Sequence, residues 1–188
     1  MSPGVRDLGA DQDNGRMRDL RWDDVREWFD PYENGSLPDV IVPGMTLTDW
    51  ETVLRLIRSQ GWRCEFDFRE QTLPPPASAA GLFTADPEWL RTLHVWPDPA
   101  MEWTVRLPSP DEIDSDVSLF EIQGQERLDV FCGFLRTLGR TLDKRVLVYA
   151  EGDHGPEGDH SYPPMMAYEP ADDRVVFLAH PSEPSTGQ

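Results

Sequence analysis

The sequence predicts an α+β fold: a mostly antiparallel sheet with two helices on one face and a short helix near the N-terminus. Three observations predict it. Two stretches carry apolar residues at helical spacing, several shorter ones alternate with a period of two, and turn-forming residues separate them at close intervals. The 188 residues lie within the usual size of one domain and suffice to bury a core.

Residues 1–19 are rich in Gly, Asp, Asn and Arg without periodicity, which predicts a disordered tail ahead of a single domain spanning 20–180. Trp22, Val25 and Phe29 then fall at offsets of three and seven, a short helix that Pro31 closes. Asp39 to Val42 reads as a buried strand. Thr48 and Glu51 have the spacing of a capping box, so a helix is expected there, with Trp50, Val53, Leu54 and Ile57 as its buried stripe and Gly61 as its stop. Next, Trp62, Cys64, Phe66 and Phe68 alternate with Arg63, Glu65 and Asp67, a strand with one core face and one wet face. Pro74, Pro75 and Pro76 make residues 73–81 a surface excursion rather than sheet, because proline donates nothing to a ladder. A hairpin should follow, Leu93–Trp96 with Met101–Leu107 about Pro97-Asp98-Pro99.

A second series starts with a strand near Ser118–Ile122 and a helix from about Gln125 to Leu138, buried through Leu128, Phe131, Cys132, Leu135 and Leu138. Arg145 to Ala150 is nearly continuous in apolar residues, as a central strand covered on both sides would be. A hairpin of Met165–Tyr168 with Arg174–Ala179 completes the domain, and residues 181–188 form a second disordered tail. The order strand, helix, strand, hairpin thus runs twice, in 39–107 and in 118–179. We read this as a pseudo-repeat that places about eight strands in one sheet with an open face.

Charge narrows the function classes. The 35 acidic residues against 17 basic ones give a net charge of −18, the opposite of what phosphate backbones or anionic membranes attract. No stretch approaches the roughly 20 apolar residues of a membrane span, and residues 1–7 lack an apolar signal core, so a soluble cytoplasmic protein is expected. Cys64 and Cys132 occupy apolar pattern positions and are expected to be reduced core residues.

Three features can carry chemistry. Glu151-Gly152-Asp153-His154 recurs as Glu157-Gly158-Asp159-His160, which makes Asp153, His154, Asp159 and His160 candidate ligands for a divalent metal such as zinc or manganese; the alternative is a solvated acidic loop. Trp96 and Trp103 flank one hairpin turn where they could face the same side, as an interface anchor or as a small-molecule platform on the open face; ordinary core is the reading their alternation favours. Asp111, Glu112, Asp114 and Asp116, together with the eight acids against one base in residues 151–188, form a candidate acidic surface for a basic protein partner, the alternative being solubility. His94, alternating with Leu93 and Val95 on a strand, reads as an exposed or partner-satisfied histidine rather than a catalyst. No nucleophile elbow, phosphate loop, dinucleotide turn or His-Glu-x-x-His helix occurs, so no cofactor is expected and binding is favoured over catalysis.

The stretch Leu138-Gly139-Arg140-Thr141-Leu142-Asp143-Lys144-Arg145-Val146-Leu147-Val148, with Met166-Ala167-Tyr168-Glu169-Pro170-Ala171-Asp172-Asp173-Arg174-Val175-Val176, resembles segments of small acidic actinobacterial proteins. Some of those resemble immunity proteins of bacterial toxin systems. The resemblance covers about a quarter of the chain and implies binding. Charge, size and resemblance together point to an acidic protein-binding module, an immunity-type inhibitor of a basic toxin, with a metal-binding domain or metal-dependent enzyme as the alternative.

Overall fold

The computed structural model describes residues 19–83, 89–153 and 162–179. Among them, nine strands form one sheet: β1 (Asp39–Pro43), β2 (Arg63–Phe68), β3 (Gln71–Leu73), β4 (Arg91–Asp98), β5 (Met101–Arg106), β6 (Glu112–Val117), β7 (Val146–Tyr149), β8 (Met166–Glu169) and β9 (Arg174–Phe177). Their order is β3-β2-β4-β5-β6-β1-β7-β8-β9, and every neighbouring pair is antiparallel. Four helices accompany the sheet: α1 (Trp22–Val25), α2 (Leu47–Gln60), α3 (Ala79–Leu82) and α4 (Gln125–Leu142). No helix among the described residues is long and apolar enough to cross a membrane.

The two long helices form where the stripes predicted them, with different ends. Thr46, not Thr48, caps α2: its side chain accepts from the Asp49 amide, and the Asp49 carboxylate accepts from the Thr46 amide at 2.9 Å. The shift by two residues leaves Glu51 free for another task, accepting from the Ala79 amide at 2.7 Å as α3 begins. Gly61 ends α2 as expected, in the left-handed region at φ 66°, where a side chain would be strained. Helix α4 runs four residues past the expected Leu138 and buries Leu128, Phe131, Leu135, Leu138 and Leu142.

One core cluster joins the buried stripes of α2 and α4 to Val40, Val42, Leu93, Val95, Trp103, Val105, Val146 and Val148 of the sheet. Alternation sends the remaining strand residues to the opposite, outer face. The N-terminal helix docks on the same core: Phe29 meets Phe131 edge-on at 6.5 Å, and Trp28 meets Phe177 at 5.9 Å. Gln125 holds this segment, accepting from the Trp22 amide at 2.8 Å and donating to the Leu20 carbonyl at 3.0 Å.

Three expectations need correction. Residues Leu119–Glu121 form a 3₁₀ turn, and the strand expected at 118–122 lies just before it, as β6. The proline-rich excursion begins with β3 as an edge strand and ends in α3, so the sheet gains a strand. The pseudo-repeat is not one of sheet order. After α4 the chain lays β7, β8 and β9 outward from the centre; after α2 it lays β2, β4 and β5 inward toward β6. The terminal tails expected at 1–19 and 181–188 lie outside the described residues, apart from Asp19.

β7 is central, as its composition predicted. Val146 and Val148 enter the main core, while Leu147 and Tyr149 join Ile41 and Ala167 in a small apolar cluster on the outer face. That cluster ends at β1. From β6 to β2 the outer face is polar, and it is there that chemistry-bearing side chains gather.

Candidate functional site: the polar outer face of the sheet

The cross-strand register defines two rows of side chains. In one, Asp39, Asp116, Thr104, His94 and Glu65 stand opposite one another on β1, β6, β5, β4 and β2. In the next, Asp114, Arg106, Thr92, Asp67 and Thr72 follow on β6, β5, β4, β2 and β3. Glu102 and Glu112 alternate onto the same face, which therefore carries seven carboxylates against the guanidiniums of Arg63 and Arg106.

Arg106 organises the central part. Its Nε and Nη2 donate to Asp114 Oδ1 at 3.1 and 2.7 Å, its Nη2 reaches Asp39 Oδ1 at 3.3 Å, and its Nη1 donates to Asp116. Three strands are stitched by one side chain, whose planar fork suits several carboxylates at once. Burial opposes the charge of Arg106, but the hydrogen bonds and attraction of Asp114 and then Asp116 outweigh it and hold the guanidinium protonated beyond its usual range. Burial pushes the Asp116 carboxyl up from its ordinary value despite the pull of Arg106, with Asp114 and Glu102 adding to the push. Asp116 is thus a carboxylate held charged at a cost.

His94 occupies the centre of the second cluster. Its Nδ1 lies 2.7 Å from Glu102 Oε1 and its Nε2 lies 3.3 Å from Asp67 Oδ2, so one imidazole bridges carboxylates on two strands. Each carboxylate has a threonine hydroxyl beside it: Thr72 Oγ1 donates to Asp67 at 2.7 Å, and Thr104 Oγ1 lies 3.4 Å from Glu102 Oε1. The neighbour-satisfied histidine expected from the sequence is found, with two neighbours. Trp96 stacks beside the His94 ring at 6.4 Å, and the Arg63 guanidinium lies 4.0 Å above the indole while pairing with Glu65 at 2.6 Å.

The expected site residues are placed as follows. Asp114 and Asp116 lie on the outer face within the Arg106 network, and Glu112 begins the same strand opposite Pro43. Asp111 is exposed in the preceding turn, where its carbonyl accepts from the Met45 amide at 2.6 Å. Trp96 and Trp103 do not share a side. Val95 stands opposite Trp103, so Trp103 points with Val95 into the core, fully buried against Phe134, while Trp96 points outward. A register shift between Val95 and Asp98 puts an extra residue into β4 and so offsets any count across the turn. Asp153 is half-buried and its amide donates to the Ala150 carbonyl at 3.0 Å; His154, Asp159 and His160 lie outside the described residues. Among the described residues no group of three or more His, Cys, Asp or Glu is arranged to hold a metal ion.

Asp39, Asp67, Glu102 and Arg106 were not singled out by the sequence. The signal was present: Glu102, Thr104 and Arg106 alternate with Met101, Trp103 and Val105, and Glu112, Asp114 and Asp116 alternate with Ile113, Ser115 and Val117. Reading both runs as strands brings the aspartates beside Arg106. No protein-family model matches the chain, and no characterised protein or solved structure shows detectable similarity to it.

Proposed function

We propose that the protein is an acidic binding module whose outer sheet face, from β2 to β6, receives a basic protein surface, with the two long helices backing the sheet from the core side. One observation carries the reading: seven carboxylates stand on a single strand-built face that also presents Trp96. Strands fix the spacing of these groups before any partner arrives, which lowers the ordering cost of association, and the excess of negative charge steers a basic partner toward the face. The partial resemblance to immunity-type proteins agrees in charge and in class of function, and an inhibitor that covers the basic active site of a toxin is the specific form we favour.

Calorimetric titration of the full chain with basic proteins encoded beside its gene tests this reading, comparing wild type with Glu65→Arg/Asp67→Arg. Both side chains are partly exposed, so the reversal leaves the core intact. A complex that weakens at least tenfold in the variant and with added salt supports it. Complexes indifferent to the reversal, or none with any such protein, would overturn it.

A further inference from the structure

At the end of the sheet where β1 starts and β6 stops, the described surface carries an open depression of about 450 Å³. Its walls are Trp22, Tyr32 and Phe120, with Glu27, Asp30 and Gln123 between them. Tyr32 and Phe120 are among the most exposed large apolar side chains described, at 85% and 55%, yet they hold each other edge to face at 5.6 Å. We propose that this depression is the anchor point for an arginine side chain of a basic protein partner; the inference rests on the reading of the protein as an acidic binding module and adds where the partner's central side chain sits.

Three observations support it. First, the aromatic walls are preorganised. Phe120 rides on a 3₁₀ turn fixed by the Leu119 amide, which donates to the Ser36 carbonyl at 2.9 Å, and by Gln123 Nε2, which donates to the Phe29 and Leu119 carbonyls at 2.8 Å each. The Tyr32 backbone is set by its amide, which donates to Asp30 Oδ1 at 2.9 Å, and its ring is oriented by the edge-to-face contact with Phe120. Ring faces fixed in the open offer a guanidinium its favoured stacking surface at little ordering cost.

Second, the rim is acidic. Glu27 and Asp30 line the depression beside Arg26, so two carboxylates stand against one guanidinium around the aromatic walls. Aromatic faces with carboxylates beside them are the combination that distinguishes a cationic side chain from a neutral one, since each alone attracts many other groups. Third, one wall of the depression is linked to the sheet of the outer face. Glu121, next to Phe120, accepts from the Glu102 amide at 2.9 Å, and Glu102 is the carboxylate that holds His94. The turn that carries Phe120 is thus tied to the strand that carries Glu102.

The test is an amide NMR titration of the full chain with a Gly-Ser peptide carrying one arginine, against the same peptide carrying citrulline, its neutral isostere. The expected result is saturable shifts at Tyr32, Phe120 and Gln123 with the arginine peptide, at least tenfold weaker with citrulline, and lost in Tyr32→Ala/Phe120→Ala. Both side chains are exposed, so the double variant keeps its core. Equal response to both peptides, or shifts unchanged in the double variant, would overturn the proposal. The outer-face variant Glu65→Arg/Asp67→Arg separates the two readings. Arginine-peptide shifts that survive it leave the anchor standing even where no basic protein binds, and a basic protein bound through the outer face but indifferent to Tyr32→Ala/Phe120→Ala removes the anchor alone.

Discussion

Gly139 and Tyr168 share one volume: the Cβ that Gly139 lacks would overlap Cδ1 and Cε1 of the tyrosine ring and lie 2.9 Å from its Cγ. Both residues are buried, Gly139 on α4 and Tyr168 on β8. The absent side chain is what lets the helix approach the outer strands so closely. A helical Gly→Ala change ordinarily gains up to about 1 kcal/mol. Here the ring has core on one side and backbone on the other, so overpacking dominates, and Gly139→Ala should cost about 1–3 kcal/mol net. Urea unfolding midpoints of the two proteins measure it.

The capping box gives a second prediction. Thr46→Ala removes the acceptor for the Asp49 amide and should destabilise the protein by about 1 kcal/mol. Thr48→Ala should cost less, since Thr48 caps nothing. Thermal unfolding of both variants distinguishes the observed helix start from the one its sequence motif suggested.

Arg106 should be needed only because its carboxylates are there. Arg106→Leu leaves Asp39, Asp114 and Asp116 facing one another and should cost about 1–3 kcal/mol, less than a fully buried pair because about a third of the Arg106 side chain is exposed. Adding Asp114→Asn and Asp116→Asn should restore most of the loss. A triple variant no more stable than the single one would mean that Arg106 acts through packing rather than charge.

Two aspartates should respond to acid with opposite sign. The Ala100 amide and then Arg127 hold the Asp98 carboxyl below its ordinary value, so the folded state binds its proton less tightly than the unfolded chain does. Its stabilisation is complete above the unfolded carboxylate value and is lost as pH falls through the folded one. Asp116 is pushed up by burial, so its charge opposes folding at neutral pH, and that cost is relieved as pH falls toward the ordinary carboxylate range. Asp98→Asn should flatten the loss of stability in acid, whereas Asp116→Asn should steepen it. Chemical unfolding at a series of pH values reads both slopes.

Both thiols should be quiet in the native protein. Burial pushes Cys64 up to about 11 and Cys132 up to about 12, so neither is a thiolate at neutral pH. A disulfide reagent should titrate both rapidly in denaturant and neither rapidly without it, with Cys64, the half-buried one, reacting first.

Much of the fold was legible because burial repeats. The stripes of α2 and α4, the alternation of β2 and the apolar run of β7 each report a surface that must leave water, and each element formed where its pattern lies. β6 was hidden for the opposite reason. Aspartate is depleted in strands, and Asp114 and Asp116 are tolerated only because Arg106 of the neighbouring strand stands beside them, a relationship that exists only after the sheet is assembled. The same holds for the candidate site. Asp67, His94 and Glu102 are brought together by register, which no local pattern contains; Trp103 is core, as one of its readings had it, while Trp96 parts from it because the register shift between Val95 and Asp98 spoils any count across the hairpin. The acidic character of the surface was visible from composition, but its geometry was not.

The sheet also fixes a timetable for its own assembly. β1 lies between β6 and β7, both of which follow it in the chain by a long interval, whereas β2, β3, β4 and β5 are neighbours in sequence as well as in space. As the chain leaves the ribosome, the meander from β2 to β5 can pair at once, while β1, already made, presents one bare edge until β6 emerges and the other until β7 follows α4. Val40, Ile41 and Val42, fully buried on both faces when folded, stand in that waiting strand. An apolar strand made early therefore waits for both of its neighbours, and the interval in which it waits is when the protein most needs dilution or a chaperone.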